Sequence, residues 1–192
     1  MVYIMLGTGF EEMEAICPCD ILRRGGVEVC FAGIGGKAIT GGKGITVQAD
    51  CTVEEIDYKM MDMIVLPGGL GGVHSILASE PAMHAVKWAY ENEKYVAAIC
   101  AAPSILAKLG ITDGKKAVVY PGMESEMGSA LMQDTNAVKD GKVLPGRGPG
   151  AAMDFGLMLL ETLKDAETAA KVQTGMVYHH SYGGAYVRAK IP

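Results

Sequence analysis

The chain has 192 residues, of which 49% are apolar and 20% charged, and its formal net charge is −5 at pH 7. This length and composition predict a single domain over residues 1–192 and argue against a disordered chain. The acidic balance, without a dense Lys/Arg block, argues against a nucleic-acid footprint, and the apolar runs are too short to span a membrane. We therefore expect neither nucleic acid nor a membrane as a partner.

The first segment, MVYIMLGTGFEE, has no basic region, and Gly7 interrupts its apolar run. This pattern is typical of a buried first strand rather than of a secretory signal. The five cysteines are an odd number at irregular spacing. Free thiols in a reducing cytoplasm fit that spacing better than a disulfide framework, so we expect a cytoplasmic protein.

Strands and helices alternate along the first third of the chain. Val2–Leu6 is a predicted strand, Phe10–Arg24 a predicted helix that ends at Gly25-Gly26, and Val27–Ala32 a second strand. The glycines and the alternating ITVQAD within residues 33–50 predict a hairpin.

The same alternation continues through the rest of the chain. Buried strands are predicted at Met61–Leu66 and Tyr95–Ile99, and helices at Pro81–Asn92 and Pro103–Leu109. Further elements are a strand at Lys116–Tyr120, a hairpin in NAVKDGKVL with its turn at Asp140-Gly141, and a helix in PGAAMDFGLMLLETL. This order predicts an α/β, flavodoxin-like three-layer sandwich: a mostly parallel sheet with helices on both faces.

Ligands of such folds gather at the carboxyl ends of the strands, where Cys100 lies between a strand and a helix. A helix amino terminus favours a thiolate and lowers its pKa to roughly 3.5–7.5. The small residues around Cys100 also permit a sharp turn of the nucleophile-elbow type. The alternative interpretation is an inert, buried core cysteine.

The segment GFEEMEAI begins the first helix. Complementation of the helix dipole explains Glu11 and Glu12. Glu14 differs because it shares a helical face with Ile21, where burial would raise its pKa and leave it able to donate a hydrogen bond to a thiolate. At the next strand end, LPGGLGG offers the N–H groups of Gly68 and Gly69, which together with that of Ala101 are candidates for an oxyanion hole; a simple tight turn is the alternative.

The remaining motifs do not predict a metal or cofactor site. CPCD, at Cys17 to Asp20, has no matching second pair, so we predict no metal site. The glycine-rich segments lack the context of a dinucleotide fingerprint, so we predict no cofactor. His74 and His84 have the setting of surface helix residues, whereas His179-His180 has the setting of a surface or an interface.

Four motifs in order, EEMEA, VLPGG, AAICAAP and GRGPGAAMDFG, resemble the ThiJ/PfpI superfamily, and specifically its DJ-one branch, over nearly the whole chain. The resemblance implies a homodimer and a cysteine prone to oxidation to the sulfinic acid. By motif, Cys100 is that cysteine and Glu14 is its protonated carboxyl partner. The resemblance further implies backbone donors at Gly68, Gly69 and Ala101, and pocket or interface residues at Tyr120, Arg24 and Arg147.

Two departures from the family pattern bear on activity. Protease-like relatives place a histidine directly after the cysteine, where this chain has Ala101, and the human-type branch has a pocket histidine where this chain has Tyr120. A positioned base contributes roughly 10²–10⁴-fold in rate, so peptidase activity is not expected.

Three hypotheses for function follow from the resemblance. The first is a cofactor-free glyoxalase or deglycase that acts on methylglyoxal or its glycated adducts through Cys100. The second is a redox sensor or stress chaperone whose Cys100 oxidises without turnover. The third, and least favoured, is a fold-mate without activity.

Overall fold

The computed structural model describes residues 1–179. The strands are β1 (Val2–Leu6), β2 (Val29–Gly33), β3 (Ala38–Thr40), β4 (Thr46–Gln48), β5 (Cys51–Thr52), β6 (Met63–Leu66), β7 (Tyr95–Ile99), β8 (Lys116–Ala117), β9 (Leu131–Met132) and β10 (Val143–Gly146). The helices are α1 (Glu12–Arg24), α2 (Leu70–Ala78), α3 (Glu80–Glu91), α4 (Pro103–Lys108), α5 (Ala152–Leu163) and α6 (Ala166–Gly175).

A six-stranded parallel sheet in the order β10-β7-β6-β1-β2-β5 organises the molecule. Every residue of β1 and β6 is buried, as expected for strands covered on both faces. On one face α1 packs along α5, and α5 packs against α6; on the other, α3 lies against β6 and β7 beside α2. The predicted flavodoxin-like sandwich is confirmed.

Several boundaries differ from the predictions for identifiable reasons. The first helix begins at Glu12 rather than Phe10, because the Glu11 side chain caps it by accepting a hydrogen bond from the Glu14 N–H at 2.9 Å. The strand predicted at Lys116–Tyr120 is only two residues long and pairs with β9 outside the main sheet. Its continuation turns away, and the Tyr120 N–H donates to the Cys100 carbonyl at 2.8 Å.

Two helices were not predicted, and glycine content explains one of them. The α2 segment LGGVHSILA contains two glycines, which disfavour a helix. Here they permit close packing, since a Cβ on Gly72 would lie 2.8 Å from the Cα of Phe10. The second unpredicted helix, α6, begins at an Asp165 cap.

Both predicted hairpins are present. Strands β3 and β4 pair antiparallel, and the chain around the Asp140-Gly141 turn forms antiparallel bridges, with Gly141 at φ 61°. Among residues 1–179, no helix is long and apolar enough to cross a membrane.

Candidate active site

The turn between β7 and α4 holds Cys100 in a left-handed backbone conformation, with φ 67°. A non-glycine residue rarely adopts this conformation, and it persists only where the surroundings enforce it. The Cys100 N–H donates to the Gly146 carbonyl at 3.0 Å, and the Cys100 carbonyl accepts from the Tyr120 N–H. The predicted sharp turn between strand and helix is therefore present, and it carries a cysteine that is 8% exposed.

Glu14 lies directly beside this thiol. It is fully buried, and its Oε2 accepts a hydrogen bond from the Gly68 N–H at 2.8 Å. The carboxyl interacts with the Cys100 thiol both as a charge and as a hydrogen-bonding group. Within the part of the chain that the structure describes, Oε1 is buried without a hydrogen-bonding partner. The pair is thus placed to exchange a proton.

Burial raises the pKa of Glu14 to about 7, against the opposing effect of hydrogen bonds from Cys100 and Gly68. The carboxyl therefore titrates near neutrality, as the sequence predicted.

The expectation of a lowered pKa for the thiol is wrong. Burial, followed by the charge and hydrogen bonding of Glu14, raises the pKa of Cys100 to about 12. The N–H groups of Gly69 and Ala101 oppose this change but do not overcome it. The short helix α4 adds little, because six residues carry a small dipole. Near neutral pH Cys100 is therefore a thiol, and the Glu14 carboxyl beside it is divided between its protonated and ionised forms.

The three predicted backbone donors divide between two tasks. The N–H groups of Gly69 and Ala101 act on the Cys100 sulfur and lower its pKa, whereas the N–H of Gly68 holds Glu14. Gly68 is thus a positioning residue for the carboxyl rather than an oxyanion donor.

A cleft of about 650 Å³ opens above Cys100. Its lining comes from six separate segments: Glu11, Lys43, Gly69, Leu70, Cys100, Ala101, Tyr120, Pro121, Gly122, Met123, Glu126 and Pro149. Tyr120 is 47% exposed and lines the cleft, in agreement with its prediction as a pocket residue.

The two predicted arginines do not line the cleft. Arg24 lies at the far end of α1, exposed, and pairs with Asp20 at 2.6 Å. Arg147 pairs with Asp134 at 2.6 Å. Neither is brought to Cys100 within this single chain.

The role of the β3–β4 hairpin at the cleft was not predicted from the sequence. Glu12, which had been explained by the helix dipole alone, is buried, and its Oε1 accepts the Lys43 N–H at 2.7 Å. This bond, together with one of 2.7 Å from the Gly42 N–H to the Phe10 carbonyl, holds the hairpin tip at the cleft. The signal available in the sequence was the glycine-rich segment GGKG. Its partner Glu12 is 31 residues away in the chain, so the sequence did not indicate the contact.

No histidine lines this cleft as far as residues 1–179 show. His74 and His84 are exposed on α2 and α3, as predicted. His179 is exposed, and His180 lies outside the described residues. The described residues contain no cluster of three or more His, Cys, Asp or Glu side chains able to hold a metal ion.

Gly68→Ala tests the fit between Cys100 and Glu14. The added Cβ would lie 2.6 Å from the Cβ of Cys100 and 2.7 Å from Oε2 of Glu14, so the two groups must separate. We expect the free energy of unfolding to fall by about 1–3 kcal/mol. A displacement of reacting groups by about 1 Å can lower a rate by about 10²-fold, so we expect kcat/KM to fall by about that factor. Thermal unfolding and kinetics measure both. Gly150→Ala is the matched control, since no atom lies within 4 Å of its added Cβ; equal behaviour of the two variants would contradict the assignment.

Comparison with known proteins identifies the family of this chain. Residues 1–162 match the model of the DJ-1/PfpI family. Protein dj-1beta of Drosophila melanogaster is 35% identical over 177 residues, which cover 91% of this chain and 95% of that protein. Its crystal structure superimposes with a TM-score of 0.87 and covers 93% of this chain and 98% of that one.

Two further relatives extend the comparison. A protein named as a deglycase from Pyrococcus abyssi is 34% identical over 151 residues, 78% of this chain and 90% of that protein. A structure of oxidised DJ-1 from Toxoplasma gondii is 29% identical, with a TM-score of 0.89 over 93% of this chain and 98% of that one. From the family match, these identities and the shared fold, the chain belongs to the DJ-1/PfpI family.

Proposed function

We propose that this chain is a cytoplasmic, single-domain, cofactor-free stress-response enzyme of the glyoxalase or deglycase type. Its substrate is methylglyoxal or an adduct of methylglyoxal. The observation that carries the proposal is the Glu14 carboxyl, with a pKa raised to about 7, against the Cys100 thiol at the floor of an open cleft. The deglycase name of the Pyrococcus abyssi relative agrees with this substrate class.

The chemistry begins with addition of the thiol to the aldehyde. Cys100 sulfur bonds to the aldehyde carbon while Glu14 takes the thiol proton and then gives it to the aldehyde oxygen, which becomes the hydroxyl of a hemithioacetal. An α-oxoaldehyde is electrophilic enough to react without an imidazole base.

Proton transfer then oxidises the former aldehyde carbon and reduces the neighbouring ketone carbon. Glu14 removes the hydrogen of the former aldehyde carbon as a proton, and the ketone oxygen is protonated to give an enediol. The neighbouring carbon then gains a proton while the hydroxyl on the sulfur-bearing carbon loses one. The result is a thioester of a 2-hydroxy acid. Water cleaves it to lactate and restores the thiol. The net change is addition of one water molecule to methylglyoxal, so no external oxidant or reductant is required.

The experiment is to incubate the protein with methylglyoxal and to quantify lactate, beside a glycated arginine or cysteine derivative as the second substrate. A glyoxalase consumes free methylglyoxal faster than it consumes the adduct. A deglycase acts on the adduct faster than free methylglyoxal is released from it. Lactate formation at the rate of a protein-free control contradicts both forms of the proposal.

A redox sensor or stress chaperone is the second candidate. The N–H groups of Gly69 and Ala101 that meet the Cys100 sulfur would also stabilise the oxygens of a sulfinate, and protonated Glu14 would donate a further hydrogen bond. The oxidised state of the Toxoplasma gondii relative agrees with such chemistry. Selective peroxide oxidation of Cys100 in a protein that produces no lactate would favour this candidate.

We also propose a homodimer that involves the outer face of α1. Met13 and Ile16 on this helix are 52% and 41% exposed, and Ile45 on the hairpin is 57% exposed, an apolar surface that a second copy would cover. Sedimentation at micromolar concentration should give about twice the 20.2 kDa chain mass. Ile16→Glu should shift it to the monomer, whereas the exposed Met60→Glu should not; a monomeric parent protein would contradict the proposal.

A further inference from the structure

Two cysteines far from the active-site cleft face each other at the edge of the main sheet. Cys30 lies in β2 and Cys51 begins β5, and their sulfur atoms are 3.2 Å apart. In the parallel pairing Ala32 stands opposite Cys51, so Cys30, two residues earlier in the strand, shares its face of the sheet. The pair is therefore built by the register of two strands rather than by a chance approach of surface side chains.

Two hydrogen bonds between Asp50 and Phe31 hold this register. The Asp50 N–H donates to the Phe31 carbonyl at 2.9 Å, and the Phe31 N–H donates to the Asp50 carboxylate at 2.8 Å. Formation of a disulfide requires the sulfur atoms to approach to about 2.05 Å, a movement of about 1 Å from the present separation. Strand β5 is two residues long and pairs with only one neighbour in the sheet, so it is the strand that can move when the disulfide forms.

We propose that Cys30 and Cys51 form a second oxidation site, separate from Cys100, at which a hydroperoxide converts the two thiols into an intramolecular disulfide bond. Both side chains are half-buried rather than enclosed, so a small peroxide has access to them. This site requires neither turnover at Cys100 nor the proposed glyoxalase activity.

The hydrogen bond between the thiols determines which of them reacts with the peroxide first. Burial raises the pKa of both groups, and contact with the other thiol raises that of Cys30 further, to about 12, but lowers that of Cys51. Cys51 therefore ionises first and attacks a peroxide oxygen, breaking the O–O bond to give a sulfenic acid and an alcohol or water. Cys30 then attacks the sulfenic sulfur, the S–O bond breaks, and water leaves with the Cys30 proton. The two thiols lose two electrons and the peroxide gains them.

The bond would close the chain around the β3–β4 hairpin, whose tip carries Lys43 to the rim of the cleft. Closing a loop of this length restricts the unfolded chain and raises the Tm by about 5–10 °C in a protein of this size. An oxidised protein would thus be stabilised at the segment that borders the active site.

The test uses the full chain carrying Cys100→Ala, so that oxidation at the active site does not contribute. After hydrogen peroxide treatment, free thiols are alkylated, the intact mass is recorded, and peptides are mapped without reduction. We expect the loss of two alkylatable thiols and two hydrogens, a peptide that joins Cys30 to Cys51, and a Tm rise that dithiothreitol reverses. In the matched control, Cys51→Ser in the same background, the cross-linked peptide and the Tm rise are absent.

Several outcomes would overturn the proposal. These are oxygen addition to Cys30 or Cys51 without a cross-link, a cross-link from either residue to Cys17 or Cys19, and a cross-link that lowers the Tm. Because the readout is a mapped bond, it does not change if the protein proves inactive towards methylglyoxal.

Discussion

Replacing Cys100 by alanine is expected to reduce lactate formation from methylglyoxal to the uncatalysed rate. The substitution removes the atom that bonds to the aldehyde, and loss of a nucleophile costs about 10⁴-fold or more in rate. Alanine fits the elbow, because the backbone bonds to Gly146 and Tyr120 do not involve the side chain. Lactate assays on matched amounts of folded protein measure the effect.

A second cysteine provides the control for this experiment. Cys17 is half-buried on α1, where its sulfur lies 3.9 Å from the Met153 sulfur, and it does not line the cleft. Cys17→Ser should retain parental turnover. Turnover that persists in Cys100→Ala, or that disappears in Cys17→Ser, would show that the nucleophile has been assigned to the wrong residue.

Glu14→Gln is expected to lower turnover by about 10²–10⁴-fold while leaving part of the peroxide sensitivity of Cys100. The amide still accepts the Gly68 N–H and still presents a donor to the sulfur, but it cannot take and return a proton. Glu14→Leu removes the donor as well, so both turnover and oxidation should fall. Lactate formation and the mass of the Cys100 peptide after mild peroxide treatment distinguish the two variants.

Stability provides the internal control for Glu14→Gln. The pKa of Glu14 is raised from 4.5 to about 7 in the folded protein, so its ionisation destabilises the fold as the pH rises through this interval. The penalty is absent below the unfolded pKa and reaches about 3 kcal/mol above pH 7. Glu14→Gln should therefore be more stable than the parent at pH 8 yet less active. An inactive variant that is also less stable would indicate misfolding rather than loss of the proton carrier.

The elements that contain strong local signals were predictable from the sequence. The bounds of β1 and β7 agree with the predictions because both are continuous apolar runs with clear flanks. The elbow at Cys100 and the burial of Glu14 followed from strand–helix alternation and helical spacing. These signals lie within a few residues of the groups that they describe.

The electrostatics and the cleft depended on contacts between distant segments. The prediction for Cys100 rested on its own turn alone, whereas burial and a carboxyl from α1 determine the direction in which its pKa moves. Lys43 reaches the cleft only because buried Glu12 holds the hairpin tip. Arg24 was assigned from motif resemblance, and a single chain shows it engaged with Asp20. Its predicted place at a dimer interface stays a prediction.

The pH dependence of kcat/KM for methylglyoxal tests the central claim, that Glu14 accepts the proton of Cys100 during turnover. Because burial raises the pKa of Glu14 to about 7, the rate should fall about tenfold per pH unit below pH 7 and level off above it. If Glu14 had the pKa of an exposed glutamate, the rate would fall more than two pH units lower. A profile that is flat from about pH 5 to pH 9, or the absence of lactate at every pH, would contradict the account.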